Sequence, residues 1–245
     1  MPEHELWVTA LFNQYLGGAG RFFLGLVGLH PEDPSKPWAN FVTMQVVVAL
    51  AMVVLFGILR TRLSMDRPGP VQHFFELIYG FLGGQTGEVG IHHGRRFLAF
   101  FASLFFFILF GNLLGLVPTF ESPTMFSPVP LGCALASFLY FNAMGFREQG
   151  PIGYMKHFAG PIWWLAWLMF PIEIISTLAR PLSLTIRLYA NMFAGEQVTL
   201  AFLGMVPLGI PVIFYGLHLF VAFLQAYIFV LMTMIYVQGA VAHEH

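Results

Sequence analysis

The chain has 245 residues, of which 58% are hydrophobic and only 9% charged, with a net charge of −1. Soluble domains carry about a quarter charged residues, so this composition excludes an ordinary soluble protein. Phenylalanine is frequent, and long apolar runs replace amphipathic periods, which marks a polytopic membrane protein.

The first residues, Met1 to Glu5, are acidic and lack the basic flank of a signal peptide. Leu6 to Leu29 is weakly amphipathic, rich in glycine and interrupted by Arg21, so no spanning helix is expected there. The first span runs from about Ala39 to Leu59 without a charge, just long enough to cross a bilayer. From Val71 the apolar residues Val71, Phe74, Phe75, Ile78, Tyr79 and Leu82 form a helical stripe. Gln72, His73 and Glu76 lie opposite, as in a helix on the membrane surface. A second span runs from Phe97 to about Val117 and a third from about Val129 to Phe146. The single cysteine, Cys133, falls in the third and reads as a small buried apolar residue.

Beyond Gly160 the apolar character continues almost to the end, with one turn at Pro207, Gly209 and Pro211. That spacing predicts two overlong helices, about Pro161 to Val206 and Pro211 to Val241, steeply tilted as a hairpin. Pro171 and Pro181 should kink or adjust the first. The expected fold is therefore an all-α polytopic membrane protein with about five crossings and one interfacial amphipathic helix. Residues 1–245 form one membrane domain: 1–38 a periplasmic or interfacial segment, 39–245 the helical core. Arg60, Arg62, Arg67, Arg95, Arg96, Arg147 and Lys156 fall in alternate loops, which puts the N-terminus outside and the C-terminus inside. Arg21 and Lys36 run mildly against this.

Arg187 stands in an apolar stretch. Its helical neighbours Ser183, Leu184, Ala190 and Asn191 include no carboxylate. An unpaired guanidinium at membrane depth costs at least ~2.5–3.5 kcal/mol, so its partner must come from elsewhere. At 100° per residue, Glu173, Ser176, Arg180, Ser183 and Asn191 lie within roughly 40° of Arg187, and Glu196 lies opposite. Glu173 is roughly 21 Å from Arg187 along the axis, too far to pair. On the last helix His218 and Gln225 share a face, continued by Met232 and Tyr236. Polar residues in membrane helices also serve simply to bind helices together, and that reading stands for Ser176, Thr177, Ser183, Asn191 and Gln225. Arg180 reads either as a stripe residue or as a cytoplasmic interface marker. Glu196 and His218 read as a structural pair across the hairpin or as a proton relay. His92 and His93 read as surface residues, and His243 and His245 as a solvated tail rather than a metal site.

The stretch from Pro181 to Glu196, Pro-Leu-Ser-Leu-Thr-Ile-Arg-Leu-Tyr-Ala-Asn-Met-Phe-Ala-Gly-Glu, resembles the signature of subunit a of F-type ATP synthases. Asn112 to Pro118 and Leu224 to Thr233 resemble two further motifs of that family, and the likeness runs from about residue 39 to the end. The Pro-rich start of the third span departs from the family pattern. The resemblance implies a proton-translocating stator that faces a rotating ring of c subunits, held with peripheral-stalk b subunits in the bacterial inner membrane. It implies that Arg187 is the essential arginine meeting the ring carboxylates. It further implies that Glu196 and His218 line an outer half-channel with Asn112 nearby, that Asn191 and Gln225 flank the arginine, and that Glu173 belongs to an inner half-channel. No cofactor or nucleic acid is expected. The chain has no phosphate-binding loop of the Gly-x-x-x-x-Gly-Lys-Ser/Thr kind, so it does not itself handle ATP. The competing readings are a stand-alone secondary transporter or channel, in which internal repeats are common, and a structural scaffold, which would not need Arg187.

Overall fold

The computed structural model describes residues 6–27, 36–64, 68–91, 94–117, 119–159, 166–205 and 210–241. Among them the chain is all-α. The helices are α1 (Trp7–Val27), α2 (Asn40–Thr61), α3 (Pro70–Glu88), α4 (Leu98–Leu114), α5 (Pro128–Ala159), α6 (Ala166–Met205) and α7 (Ile210–Val241). Short 3₁₀ turns at Gly94–Arg96 and Pro123–Met125 join α3 to α4 and α4 to α5. The spans in α2, α5, α6 and α7 are long and apolar enough to cross a membrane, and α4 is a shorter apolar helix. Arg67, His92, His93, His243, His245, Met1 to Glu5 and the turn at Pro207 and Gly209 lie outside the described residues.

The core forms where α4, α5, α6 and α7 meet. Phe101, Phe105 and Ile108 of α4 are fully buried with Phe141 of α5, Leu188 and Met192 of α6, and Phe229 of α7. Ala222 and Ala226, one turn apart on α7, are also fully buried, and small residues there let neighbouring backbones approach. Polar ties join α5 to α7, where Ser137 Oγ donates to Thr233 Oγ1 (2.9 Å) and Gln149 Nε2 to Ala240 O (3.0 Å), and α7 to α3, where Tyr227 Oη donates to Gln85 Oε1 (2.7 Å). In an apolar surround each unmet group would be costly, so such ties fix register.

Several expectations change in detail. Residues 7–27 form a helix that, as expected, is not among those long and apolar enough to cross a membrane; it is seated on Trp38, where Asn13 exchanges hydrogen bonds with the Trp38 backbone and Trp38 Nε1 donates to Leu16 O. The second span ends as a helix at Leu114, because the chain reverses there. A Cβ on Gly115 would come within 2.8 Å of the Ser122 Cβ. In α3 the buried side is Gln72, Ile78, Leu82 and Thr86, whereas Val71, Phe74 and Tyr79 face outward. Gln72, expected on the polar side, turns inward because its amide clasps the Ser64 backbone, as Ser64 N donates to Oε1 and Nε2 donates to Ser64 O. Helix α6 continues through Pro171 and Pro181. At 40 and 32 residues, α6 and α7 are ~60 and ~48 Å long, which demands tilt in a ~30 Å hydrocarbon core.

Helix α5 outlasts its apolar span. At Gly150 the backbone takes φ 72°, a conformation open to glycine, and the helix kinks. Beyond the kink Tyr154 folds back, donating to Asn142 Oδ1 at 2.9 Å, with its ring directly over Gly145. Gly145→Val should expel that ring and open the fold-back. Trypsin cleavage after Lys156 in membrane vesicles should accelerate, while Gly132→Val, whose Cβ meets nothing within 4 Å, should leave it unchanged.

Candidate functional site

The candidate residues lie along α6 and α7. The buried side of α6 carries Thr177, Pro181, Leu184, Thr185, Leu188 and Met192. Leu182, Ile186, Ser183 and Asn191 are exposed. Arg187 sits at the border of the two sides, partly buried. Among the described residues it makes no hydrogen bond and no ion pair. The guanidinium therefore remains without a counter-charge after folding, as its sequence neighbours foretold.

One turn further along, Asn191 Nδ2 donates to Gln225 Oε1 at 2.8 Å and ties α6 to α7. Gln225 is 2% exposed, and its Nε2 has no partner. So one end of this amide pair is satisfied and the other is held ready beside the arginine's helix.

Glu196 and His218 meet at a cavity of about 230 Å³, large enough for several waters at ~30 Å³ each. Thr119, Phe120, Thr199 and Tyr215 complete much of its wall. The two side chains do not bond each other. Glu196 Oε2 and His218 Nε2 are buried and unpartnered, so their remaining hydrogen-bonding capacity is available to cavity contents. Glu121, on the loop after α4, interacts electrostatically with Glu196. Thr119 stands at φ 83°, an unusual backbone for a β-branched residue. The His218 ring packs over Gly195, where a Cβ would lie 2.8 Å from Nδ1. A glycine inside a helix costs about 1 kcal/mol against alanine, so Gly195 has a packing reason to be there.

The other candidates divide. Asn112 is fully buried and outside that cavity wall: Nδ2 donates to Ala222 O (3.1 Å), and Oδ1 accepts from Thr124 Oγ1 (2.6 Å). Its amide ties α4 to α7 and to the turn at Pro123. Glu173 pairs with Arg180 at 3.2 Å, one helix side over two turns. Arg180 in turn lies over the Phe141 and Tyr236 rings, at 5.8 and 5.3 Å. Arg187 thus has a charge pair some two to four turns to one side and the Glu196–His218 cavity some 13–14 Å to the other.

The sequence alone did not single out Thr119, Tyr215 or Gly195. The loop residues come near Glu196 only through tertiary folding. The sole local signal was the small pair Ala194-Gly195 inside a helix.

Comparison with known proteins is consistent along the whole chain. Residues 41–238 match the family described as "ATP synthase A chain". The chain is 60% identical over 235 residues to "ATP synthase subunit a" of Solibacter usitatus, covering 96% of this chain and all of that one. It is 48% identical over 246 residues to "ATP synthase subunit a" of Koribacter versatilis, covering both completely. The protein of that name from Bdellovibrio bacteriovorus is 46% identical over 172 residues, 70% of this chain and 75% of its own.

The His218–Gly195 contact generates a test. Gly195→Val should push the imidazole from its seat and lower stability by about 1–3 kcal/mol through overpacking. Thermal unfolding in detergent reads this, with Gly204→Val, whose Cβ meets nothing within 4 Å, as the neutral control.

Proposed function

Because this chain belongs to the ATP synthase A chain family, as subunit a of the F-type enzyme, we propose that it carries protons past Arg187 by way of a rotating partner ring. It is a multi-pass ion-translocating membrane subunit of the ATP synthase complex and not a catalytic enzyme by itself. Family membership removes the stand-alone transporter and the scaffold as readings.

The observation that carries the mechanism is the uncompensated guanidinium on the border of an open helix face. Its partner is a carboxylate on the c-subunit ring, presented by each ring subunit in turn. The positive charge favours the ionised carboxylate, so a ring site arriving protonated gives up its proton there. The same charge repels a proton crossing directly, so flux must ride the ring. Asn191 and Gln225 hold the two long helices together beside Arg187, and the exposed Asn191 stands on the face that meets the passing carboxylate.

Two half-channels serve this centre. The outer one uses Glu196 and His218, whose unpartnered atoms share a cavity; a carboxylate and an imidazole suit proton relay near neutral pH. Asn112 supports this path from behind, by fastening α4 and the turn at Pro123 to α7. The inner one uses Glu173, its charge held by Arg180. The b subunits of the peripheral stalk keep this stator still while the ring turns. The chain sits in the bacterial inner membrane with its N-terminus outside, C-terminus in the cytoplasm and α3 along the surface; the alternation of basic loops supports that orientation.

Arg187→Ala should reduce ATP-driven proton pumping in membrane vesicles to background while the complex still assembles. Arg187→Lys should also fail, because a compact ammonium lacks the planar fork of donors. Normal pumping by either assembled variant overturns the mechanism.

For the outer path, Glu196→Ala and His218→Ala should each slow pumping without raising passive proton leak. The exchange Glu196→His with His218→Glu should recover part of the rate. Pumping and leak measured on the same vesicles separate a slowed path from a broken barrier, and normal rates in both single variants would place the path elsewhere.

A further inference from the structure

A second cavity, of about 480 Å³, lies between α2, α3 and α4, within the ~300–1,000 Å³ range of small-ligand sites. Its walls are apolar, from Met52, Phe56, Phe75, Ala102 and Phe106. The three phenyl rings form a cluster with centroids 5.2–5.3 Å apart. It shares no lining residue with the Glu196–His218 cavity.

The lining also includes polar groups. Gln72, held through both amide atoms by the Ser64 backbone, also donates from Nε2 to Glu76 Oε1 at 2.7 Å. This fixes the Glu76 carboxylate in the cavity lining, where Tyr79 also stands. No cation pairs with Glu76 among the described residues. Two exposed arginines, Arg60 and Arg62, sit at the end of α2 between the lining residues Leu59 and Leu63.

We propose that this groove binds one phospholipid with a primary-ammonium headgroup. An acyl chain fills the phenyl-lined slot, where dispersion contacts would otherwise go unmade. The ammonium donates to the Glu76 carboxylate and is drawn to the aromatic rings. The phosphate meets Arg60 and Arg62. The apolar slot accepts any acyl chain; the pre-oriented carboxylate supplies the choice of headgroup. A trimethylammonium group has no N–H for Glu76, and a glycerol headgroup has no positive charge for it.

The test uses the whole ATP synthase complex reconstituted into phosphatidylglycerol vesicles. Each vesicle set carries a trace of one lipid with a photoreactive acyl chain: phosphatidylethanolamine, phosphatidylcholine or phosphatidylglycerol. Cross-links are mapped by peptide mass spectrometry to α2–α4. Phosphatidylethanolamine should label the groove about tenfold more than the other two, the ratio set by one charge-assisted hydrogen bond. Glu76→Gln should abolish that preference while labelling persists. Ser103→Trp, which fills the slot from α4, should remove labelling by all three. Equal labelling of the groove by the three lipids, or an unchanged preference in Glu76→Gln, overturns the proposal. A photoreactive residue at position 103 that cross-links to another protein subunit rather than to lipid overturns it as well.

Discussion

An arginine cannot shed its charge, and an apolar medium does not solvate it; the rest of this structure is organised around that conflict. Elsewhere in the core the usual solution holds. Asn112, Ser122, Thr124, Ser137 and Thr233 bury their polar atoms against one another or against backbone carbonyls. At four groups on α6 and α7 the solution is withheld. Arg187 keeps a free charge, and Gln225 Nε2, Glu196 Oε2 and His218 Nε2 are buried without partners. The same two helices also carry satisfied groups, Asn191 to Gln225, Thr185 to Pro181 O and Thr233 to Phe229 O, so their open atoms are confined to a few positions.

Close backbone approach adds to the aromatic core in holding the helices together. Ala222 and Ala226 let α7 lie near its neighbours, Gly195 admits the His218 ring, Gly115 admits Ser122 and Gly145 admits Tyr154. Each small residue sits where a polar or aromatic group must reach across. Because the lipid phase gives no hydrophobic drive between helices, such fits and the hydrogen bonds they permit carry more of the specificity. The long hairpin is thereby held at two levels, by Asn191–Gln225 and by Gly195–His218.

What could be read from the sequence was whatever depends on local pattern. The charge-free run of α2, the lengths of α6 and α7, and the polar stripe through Arg187 follow from composition and a 100° step. The missing partner of Arg187 was equally legible, since its helical neighbours are fixed by spacing. Features that depend on chain reversal were not. Gln72 turns inward because the short link between α2 and α3 brings Ser64 to it, which overrides its polar side in the stripe. The Glu173–Arg180 pair, by contrast, lay open to spacing, since the two are seven residues apart on the same side of one helix. Asn112 belongs with a family motif, yet its amide is consumed by Ala222 and Thr124, contacts that only the turn after α4 creates. The cavity wall at Thr119 and Phe120 has the same origin.

The brevity of α4 has an electrical consequence. Its 17 residues span only ~25 Å, short of the ~30 Å hydrocarbon thickness. The chain after α4 turns back within the protein, with Ser122 Oγ donating to Gly111 O and Thr124 Oγ1 to Asn112 Oδ1. The residues that follow, Gly115, Leu116 and Val117, border the Glu196–His218 cavity. Were that cavity filled with water, little of the membrane voltage would fall across it, and the drop would be concentrated beyond it. A charge moving across the full potential gains ~2.3 kcal/mol per 100 mV, so a filled cavity would shorten the distance over which that gain is made.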